Sequence, residues 1–381
     1  MENNIIENSI IDNNGFNNAY KEDDYKSEFI LFKTVSIVEK YNFYEYISVM
    51  IDGGVSIVES LKTVESKITS IYFKKRIKEL ITFITSGDSF SKSMKKIPDI
   101  FTSSEISIIE AGESSGTLSS SLLKLSDDLK KVHDLRNKVK GSLTYPIIIF
   151  LFLFLALFIV LTFVVPQIKP LFDTAEVELP LSTKLLIGTS DFIIGNIWLL
   201  FLILISIVVF FFGYKNTESG KRSIDEFLFG LPLVGKVYRN YILSNIASTL
   251  GSLVGSGVSI IKTLKLIGKS TNSTVYESLF EDIVVRVSGG EKIVRSMEAV
   301  DPNRIYFPAD YTQMLSVGER TANLESISKK INAQYTKEVD YSLANLTKWI
   351  EPLAILLASV FVLWFAYAIL GAILKITQTV G

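Results

Sequence analysis

Ile-Gly-Lys-Ser at residues 267–270 ends like a phosphate-cradling loop, whose lysine and hydroxyl serve a nucleotide's phosphates and their magnesium. That chemistry also requires a glycine five positions before Gly268 and a strand ahead of it; the position holds Thr263, and no strand precedes it. Ser-Gly-Gly-Glu-Lys at 288–292 is a glycine turn without a phosphate-binding frame. The single histidine, His133, has no cysteine or second histidine with which to share a metal, and it stands in a lysine-rich amphipathic segment. Cysteine is absent, which removes disulfides, thiolate metal sites and a cysteine nucleophile. What remains is a set of carboxylates at repeated places: Glu113 and Glu319, each after a glycine, and Glu351 before Pro352.

The elements that must position these carboxylates are set by composition. The 381 residues are 48 % hydrophobic and only 21 % charged, with a mean hydropathy of +0.34, too apolar for an ordinary soluble chain. A net charge of −1 offers no basic surface for nucleic acid. A membrane-crossing helix needs about 20 apolar residues. No charge falls between Lys140 and Lys169, between Asp191 and Lys215, or between Glu351 and Lys375, so three transmembrane helices are expected. They contain no acid or base that a proton relay or ion path would use.

Orientation follows from lysine and arginine in the flanks. Lys130, Lys131, Arg136, Lys138 and Lys140 precede the first span, and Lys215, Lys221 and Arg222 follow the second. The connection at 169–191 is poorer in cations, so it is expected outside and both large polar segments in the cytoplasm. These basic residues are also candidates for contact with anionic lipid or with a cytoplasmic partner protein. The chain start, acidic and Asn-rich, has no cationic or apolar signal-peptide region, and residues 1–27 are expected as a disordered arm.

The polar segments repeat. Gly-Gly-Val-Ser-Ile-Val-Glu-Ser-Leu at 53–61 matches Ser-Gly-Val-Ser-Ile-Ile-Lys-Thr-Leu at 256–264, an offset of 203 that pairs Gly54 with Gly257. Phe101 and Phe307, Gly112-Glu113 and Gly318-Glu319, Leu118 and Leu324, and Tyr145-Pro146 and Glu351-Pro352 match at an offset of 206. A three-residue insertion therefore lies between. Leu118, Leu122, Leu125, Leu129 and Val132 fall on one helical face, as do Leu324, Ile327, Ile331 and Tyr335, and Gly and Pro breaks divide each copy into helices of a small antiparallel bundle. In Gly-Glu-Ser-Ser-Gly-Thr-Leu at 112–118, Gly112 is expected to end a helix with positive φ and Gly116 to make a tight turn. Leu118 then opens the next buried stripe, and Glu113 lies near a helix start, where a carboxylate meets free amides. Pro146 and Pro352 are expected in the first turn of helices entering the membrane, and Pro166, with Pro170, to close the first span.

These features resemble the type II secretion system protein F family: the two glycine-valine segments, Gly-Glu-x-x-Gly-x-Leu, the Tyr145-Pro146 entry, the Val-Val-Pro-Gln-Ile-Lys-Pro exit at 164–170 and the Glu351-Pro352 entry, in this order over about residues 29–375. Ala322 departs from the pattern, standing where the family repeats glycine, and leaves the symmetry of the two corners open. The resemblance implies an all-α, polytopic membrane protein with two homologous cytoplasmic bundles of about six helices each. The expected division is a first bundle at 28–140, spans at 141–168, 192–214 and 351–375, an outside loop at 169–191, a second bundle at 215–350 and an outside tail at 376–381. It further implies a non-enzymatic inner-membrane platform of a type IV pilus, type II secretion or competence machine, with no cofactor. Its partners would be a cytoplasmic hexameric assembly ATPase, pilin or pseudopilin subunits, other inner-membrane assembly proteins, the lipid bilayer and further copies of the chain. The rival reading is an oligomeric membrane transporter or channel component.

Overall fold

Serine and threonine punctuate the first polar segment at the spacing of helix starts. Ser36, Ser56, Ser70, Ser89 and Thr102 each accept a hydrogen bond from the backbone N–H of a residue two or three further on, satisfying amides the first turn leaves free. Thr102 and Glu105 do so reciprocally. The computed structural model describes residues 35–173, 179–215 and 217–380; the arm expected at 1–27 lies outside them.

The first copy is six helices: α1 (Ile37–Asp52), α2 (Ile57–Lys67), α3 (Ile71–Thr85), α4 (Phe90–Lys95), α5 (Ser103–Ser115) and α6 (Leu118–Ile159). A wide π-turn at Val160–Val164 leads into α7 (Val165–Asp173), followed by α8 (Leu181–Gly195) and α9 (Ile197–Lys215). An additional helix, α10 (Glu218–Gly230), precedes the second copy. That copy is α11 (Val234–Gly255), α12 (Ile260–Ser270), α13 (Thr274–Ser288), α14 (Ile293–Val300), α15 (Ala309–Arg320) and α16 (Leu324–Val380). The described residues contain no strand. In each copy the first helix packs along the last, α1 on α6 and α11 on α16, and the four shorter helices close one side. Phe43, Phe73 and Phe101 centre the first core; Tyr276, Phe280, Phe307, Tyr311 and Tyr335 centre the second. The fold is all-α, with two homologous bundles and three helices long and apolar enough to cross a membrane.

Several expectations are corrected. Pro146 and Pro352 stand inside α6 and α16, not in a first turn, because each bundle's last helix continues without a break into its span. A proline there removes only the bond to the carbonyl four residues earlier, and the remaining ladder carries the helix across. Pro166 and Pro170 do not close the first span either. The π-turn directly before Pro166 widens the ladder where its ring would strike the carbonyl of Thr162, and the helix goes on to Asp173. The second apolar run breaks at Asn196, so α9 alone has spanning length. Of the stretch 169–191, residues 169–173 and 181–191 are helical: α8 packs on the π-turn and α16, with Thr183 Oγ1 donating to Ala368 O (2.5 Å) and Ser190 Oγ to Leu161 O (2.5 Å). The tail is helical as far as Val380.

Candidate coupling site

The repeated corner is built from close approach. Gly112 lies within α5, not at its end. A Cβ there would sit 2.4 Å from Ser121 Oγ, so the glycine lets α5 and α6 touch. Gly318 does the same against Ile327, 3.0 Å from its Cβ. The left-handed residue that ends the helix is Gly116 (φ 70°), and its counterpart is Ala322 (φ 54°). Both corners close by the same bonds, Thr117 N to Gly112 O (2.8 Å) and Asn323 N to Gly318 O (2.9 Å), so alanine preserves the turn. Leu118 and Leu324 open α6 and α16, each against its own core. Gly54 (φ 82°) and Gly257 (φ 81°) make a second matched pair of turns, after α1 and α11.

Glu113 and Glu319 are near helix starts, though not those of their own helices. Glu113 Oε1 accepts from Phe90 N (2.6 Å) and Oε2 from Ser91 N (2.9 Å), capping α4. Glu319 accepts from Ile293 N (2.6 Å) and Val294 N (3.3 Å), capping α14. A charged acceptor at exposed first-turn amides is favoured by hydrogen bonding and by the helix dipole. Both oxygens of each are thereby occupied. Each corner thus ties the bundle's shortest helix to the junction with its membrane-going helix. The spacing between the carboxylate and the amides it caps, 23 and 26 residues, left no local sequence signal.

The basic candidates divide. Lys138 Nζ pairs with Asp340 Oδ2 at 2.7 Å, joining α6 to α16, and Arg222 pairs with Glu226 (3.0 Å) on its own helix. Lys130, Lys131, Arg136, Lys140 and Lys221 are exposed and make no ion pair with the described residues. Tyr145 is exposed beside buried Pro146, while Glu351 and Pro352 are both exposed, and Pro166 is half-buried.

Sequence reasoning missed the joint between the two copies. Lys124 Nζ on α6 donates to Ser252 O (3.0 Å) on α11 and lies 3.8 Å from Glu325 on α16, and Ser252 Oγ donates to Asp128. Burial pushes the Asp128 carboxyl up from its usual range and the Lys124 ammonium down. Glu110 on α5 bridges Lys95 (2.7 Å) and Lys262 of α12 (3.1 Å). Leu135 packs with Val237, Val339, Leu343 and Leu346. Grooves of about 470 and 690 Å³ run along this joint, sharing Lys131, Ser248 and Asn332. Among the described residues no three His, Cys, Asp or Glu side chains converge into a metal-holding group. The arrangement holds α6 and α16 in register.

Fold and site together define a duplicated helical protein whose two bundles each end in a helix that becomes a membrane span. The profile of the family described as "Type II secretion system (T2SS), protein F" matches residues 43–166 and 246–372, and the chain belongs to that family. It is 29 % identical over 339 residues to the type IV pilus assembly protein PilC of Thermus thermophilus, covering 89 % of this chain and 82 % of that one. It is 26 % identical to the type II secretion system protein F of Aeromonas hydrophila, over 93 % and 91 % of the two chains. It is 23 % identical to the protein transport protein HofC homolog of Haemophilus influenzae, over 81 % and 77 %.

Proposed function

We propose that this chain is an inner-membrane platform that couples a cytoplasmic assembly ATPase to the polymerisation of pilin-like subunits, in a pilus, secretion or DNA-uptake machine. The observation that carries this is the continuity of α6 and α16. They run from bundle to membrane as helices of 42 and 57 residues, about 60 and 85 Å at 1.5 Å per residue, with no flexible linker. They lie parallel, since Lys124 meets Glu325 and Lys138 meets Asp340 further along both. A displacement applied to the bundles therefore reaches both spans in the same sense. The names of the relatives, pilus assembly and type II secretion proteins, support the setting. The cation-rich flanks support a topology with the bundles and the arm in the cytoplasm and the end of α16 outside.

The exposed apolar α9 and the outer faces of the first and third spans offer surface to the hydrophobic helix of a pilin-like subunit. The basic residues left without ion pairs, Lys130, Lys131, Arg136, Lys140 and Lys221, offer contacts to the ATPase or to anionic lipid. The three apolar runs between Lys140 and Lys169, Asp191 and Lys215, and Glu351 and Lys375 hold no Asp, Glu, Lys, Arg or His of the kind the transporter reading would use. The test is affinity purification of the intact chain from its native membrane with mild crosslinking and mass spectrometry. Recovery of a secretion-type ATPase with prepilin-like subunits is expected. Recovery of neither from folded material would overturn the reading.

A further inference from the structure

The joint between the two copies is not symmetric. The first copy presents α5 and α6, whereas the second presents α11, α12 and α16; the matching packing of α1 and α2 on α15 and α16 is not formed among the described residues. A contact between like units that uses different surfaces leaves one unused surface at each end, and repeating it builds a ring or an open array. Here the unused surfaces are the α1/α2 face of the first copy and the α15/α16 face of the second.

Those faces expose apolar residues where the internal joint buries their counterparts. Leu135 is 6 % exposed within the joint, and its counterpart Tyr341 is 62 % exposed. Ser252 is 6 % exposed, and its counterpart Val49 is 63 % exposed, beside exposed Tyr46. Val317, the counterpart of Ala111, is exposed on α15. Charge matches as well. Ser248 and Lys131 line the same groove of the joint; their counterparts are Glu45, an acid on the first copy's free face, and Lys337, an exposed base at the far edge of the internal groove that makes no ion pair among the described residues. The Glu110–Lys262 pair is not carried over, since the equivalent positions hold Ser316 and Glu59.

We infer that a second copy of this chain docks its α1/α2 face on the α15/α16 face of the first, repeating between chains the joint that holds the two copies within one. Because α6 and α16 run parallel across the internal joint, each repetition keeps every span crossing the bilayer in the same sense. The joint between chains has fewer ion pairs than the one within a chain and is the weaker of the two. This names the surfaces for the oligomeric part of the platform reading and rests on that part alone; ATPase and pilin recovery tests the remainder separately.

The absence of cysteine makes the test direct. Asp128→Cys with Ser252→Cys reports the internal joint, and oxidant is raised in native membranes until this pair closes within one chain. The corresponding pair between chains is Gln334→Cys with Val49→Cys. Under the same oxidation the double variant is expected to give a ladder of dimers, trimers and longer species. Each single variant stays monomeric, and the two single variants co-expressed stop at dimers. Monomer alone from the double variant, or dimers from Val49→Cys by itself, which would mean a two-fold contact, overturns the inference. As a second reading, Glu45→Lys should shorten the ladder and Lys337→Glu added to it should restore it; an unchanged ladder in Glu45→Lys would overturn the charge match.

Discussion

The two bundles share a backbone plan and solve their cores differently. In the first, Lys40 and Glu105 form an ion pair (2.7 Å) with side chains only 12 % and 5 % exposed, beside fully buried Tyr44. The corresponding positions in the second are Leu243, Tyr311 and Ala247. The volume that Tyr44 supplies from the first helix of one copy is supplied by Tyr311 from the fifth helix of the other. The charges disappear in the exchange. The difference shows that the corner, the glycine turns and the glutamate cap define this unit, while the centre of its core can be apolar or ionic as long as volume is kept.

The largest expected effect breaks that comparison at the ion pair. Lys40→Met leaves Glu105 buried without its cation and should destabilise the first bundle by roughly 3–5 kcal/mol. Tyr311→Phe, at the position of Glu105, should change little, because the Tyr311 hydroxyl has no hydrogen-bond partner among the described residues. Pulse proteolysis in urea of the purified chain measures both. Installing the second copy's solution as Lys40→Leu, Tyr44→Ala and Glu105→Tyr together should recover most of the loss. Failure to recover would mean that the surrounding helices are not equivalent.

A smaller effect separates the two caps. Glu113 shares the start of α4 with Ser89, which accepts from Lys92 N, whereas α14 begins after Lys292 and has no side-chain cap but Glu319. Glu319→Ala should therefore cost about 1–2 kcal/mol and Glu113→Ala less, in the range of lost helix caps. Hydrogen exchange at Ile293 and Val294, against Phe90 and Ser91, reads the difference locally. Equal protection losses would contradict the asymmetry.

The corner itself gives a change of about 1 kcal/mol in opposite directions. Ala322 holds φ 54°, a conformation that strains any residue with a Cβ, while Gly116 holds φ 70° without strain. Ala322→Gly should stabilise the second bundle by about 1 kcal/mol, and Gly116→Ala should destabilise the first by at least as much. Thermal unfolding of each variant in detergent settles the sign. A destabilised Ala322→Gly would show that the turn is held by something other than its backbone conformation.

These residues also mark what was legible in the sequence. The duplication, the bundles, the spans and the turn at Gly116 follow from periodicity and glycine spacing, which are local properties. The targets of Glu113 and Glu319 and the pairing of Lys40 with Glu105 lie 23 to 65 residues away, where only the packed fold decides contact. Gly112 was misassigned because a glycine that ends a helix and one that admits a neighbouring helix look alike until the neighbour is placed. The prolines were misassigned because a first-turn preference does not exclude a proline from a helix that is long on both sides of it. Leu135 and Tyr341 occupy one repeated position, and only packing shows that the first is covered within the chain.

The smallest expected effect tests whether the two joints differ in charge as they do in position. Lys95 first, and then Lys262, hold the Glu110 carboxyl below its usual range. A depressed carboxylate contributes stability that is complete above its unfolded value of 4.5 and is lost as pH falls through its lower folded value. Its side chain is 38 % exposed, so water and salt keep the contribution below about 1 kcal/mol. Glu110→Gln should therefore flatten the part of the joint's acid weakening that this pair supplies. The measurement is the difference in urea midpoint between the parent and Glu110→Gln at pH 6, followed down to pH 3. Ser316 stands at the same position in the second copy, so Ser316→Gln should leave the acid profile unchanged. If both substitutions flattened it alike, the ion pair would not be what distinguishes the internal joint from the free face.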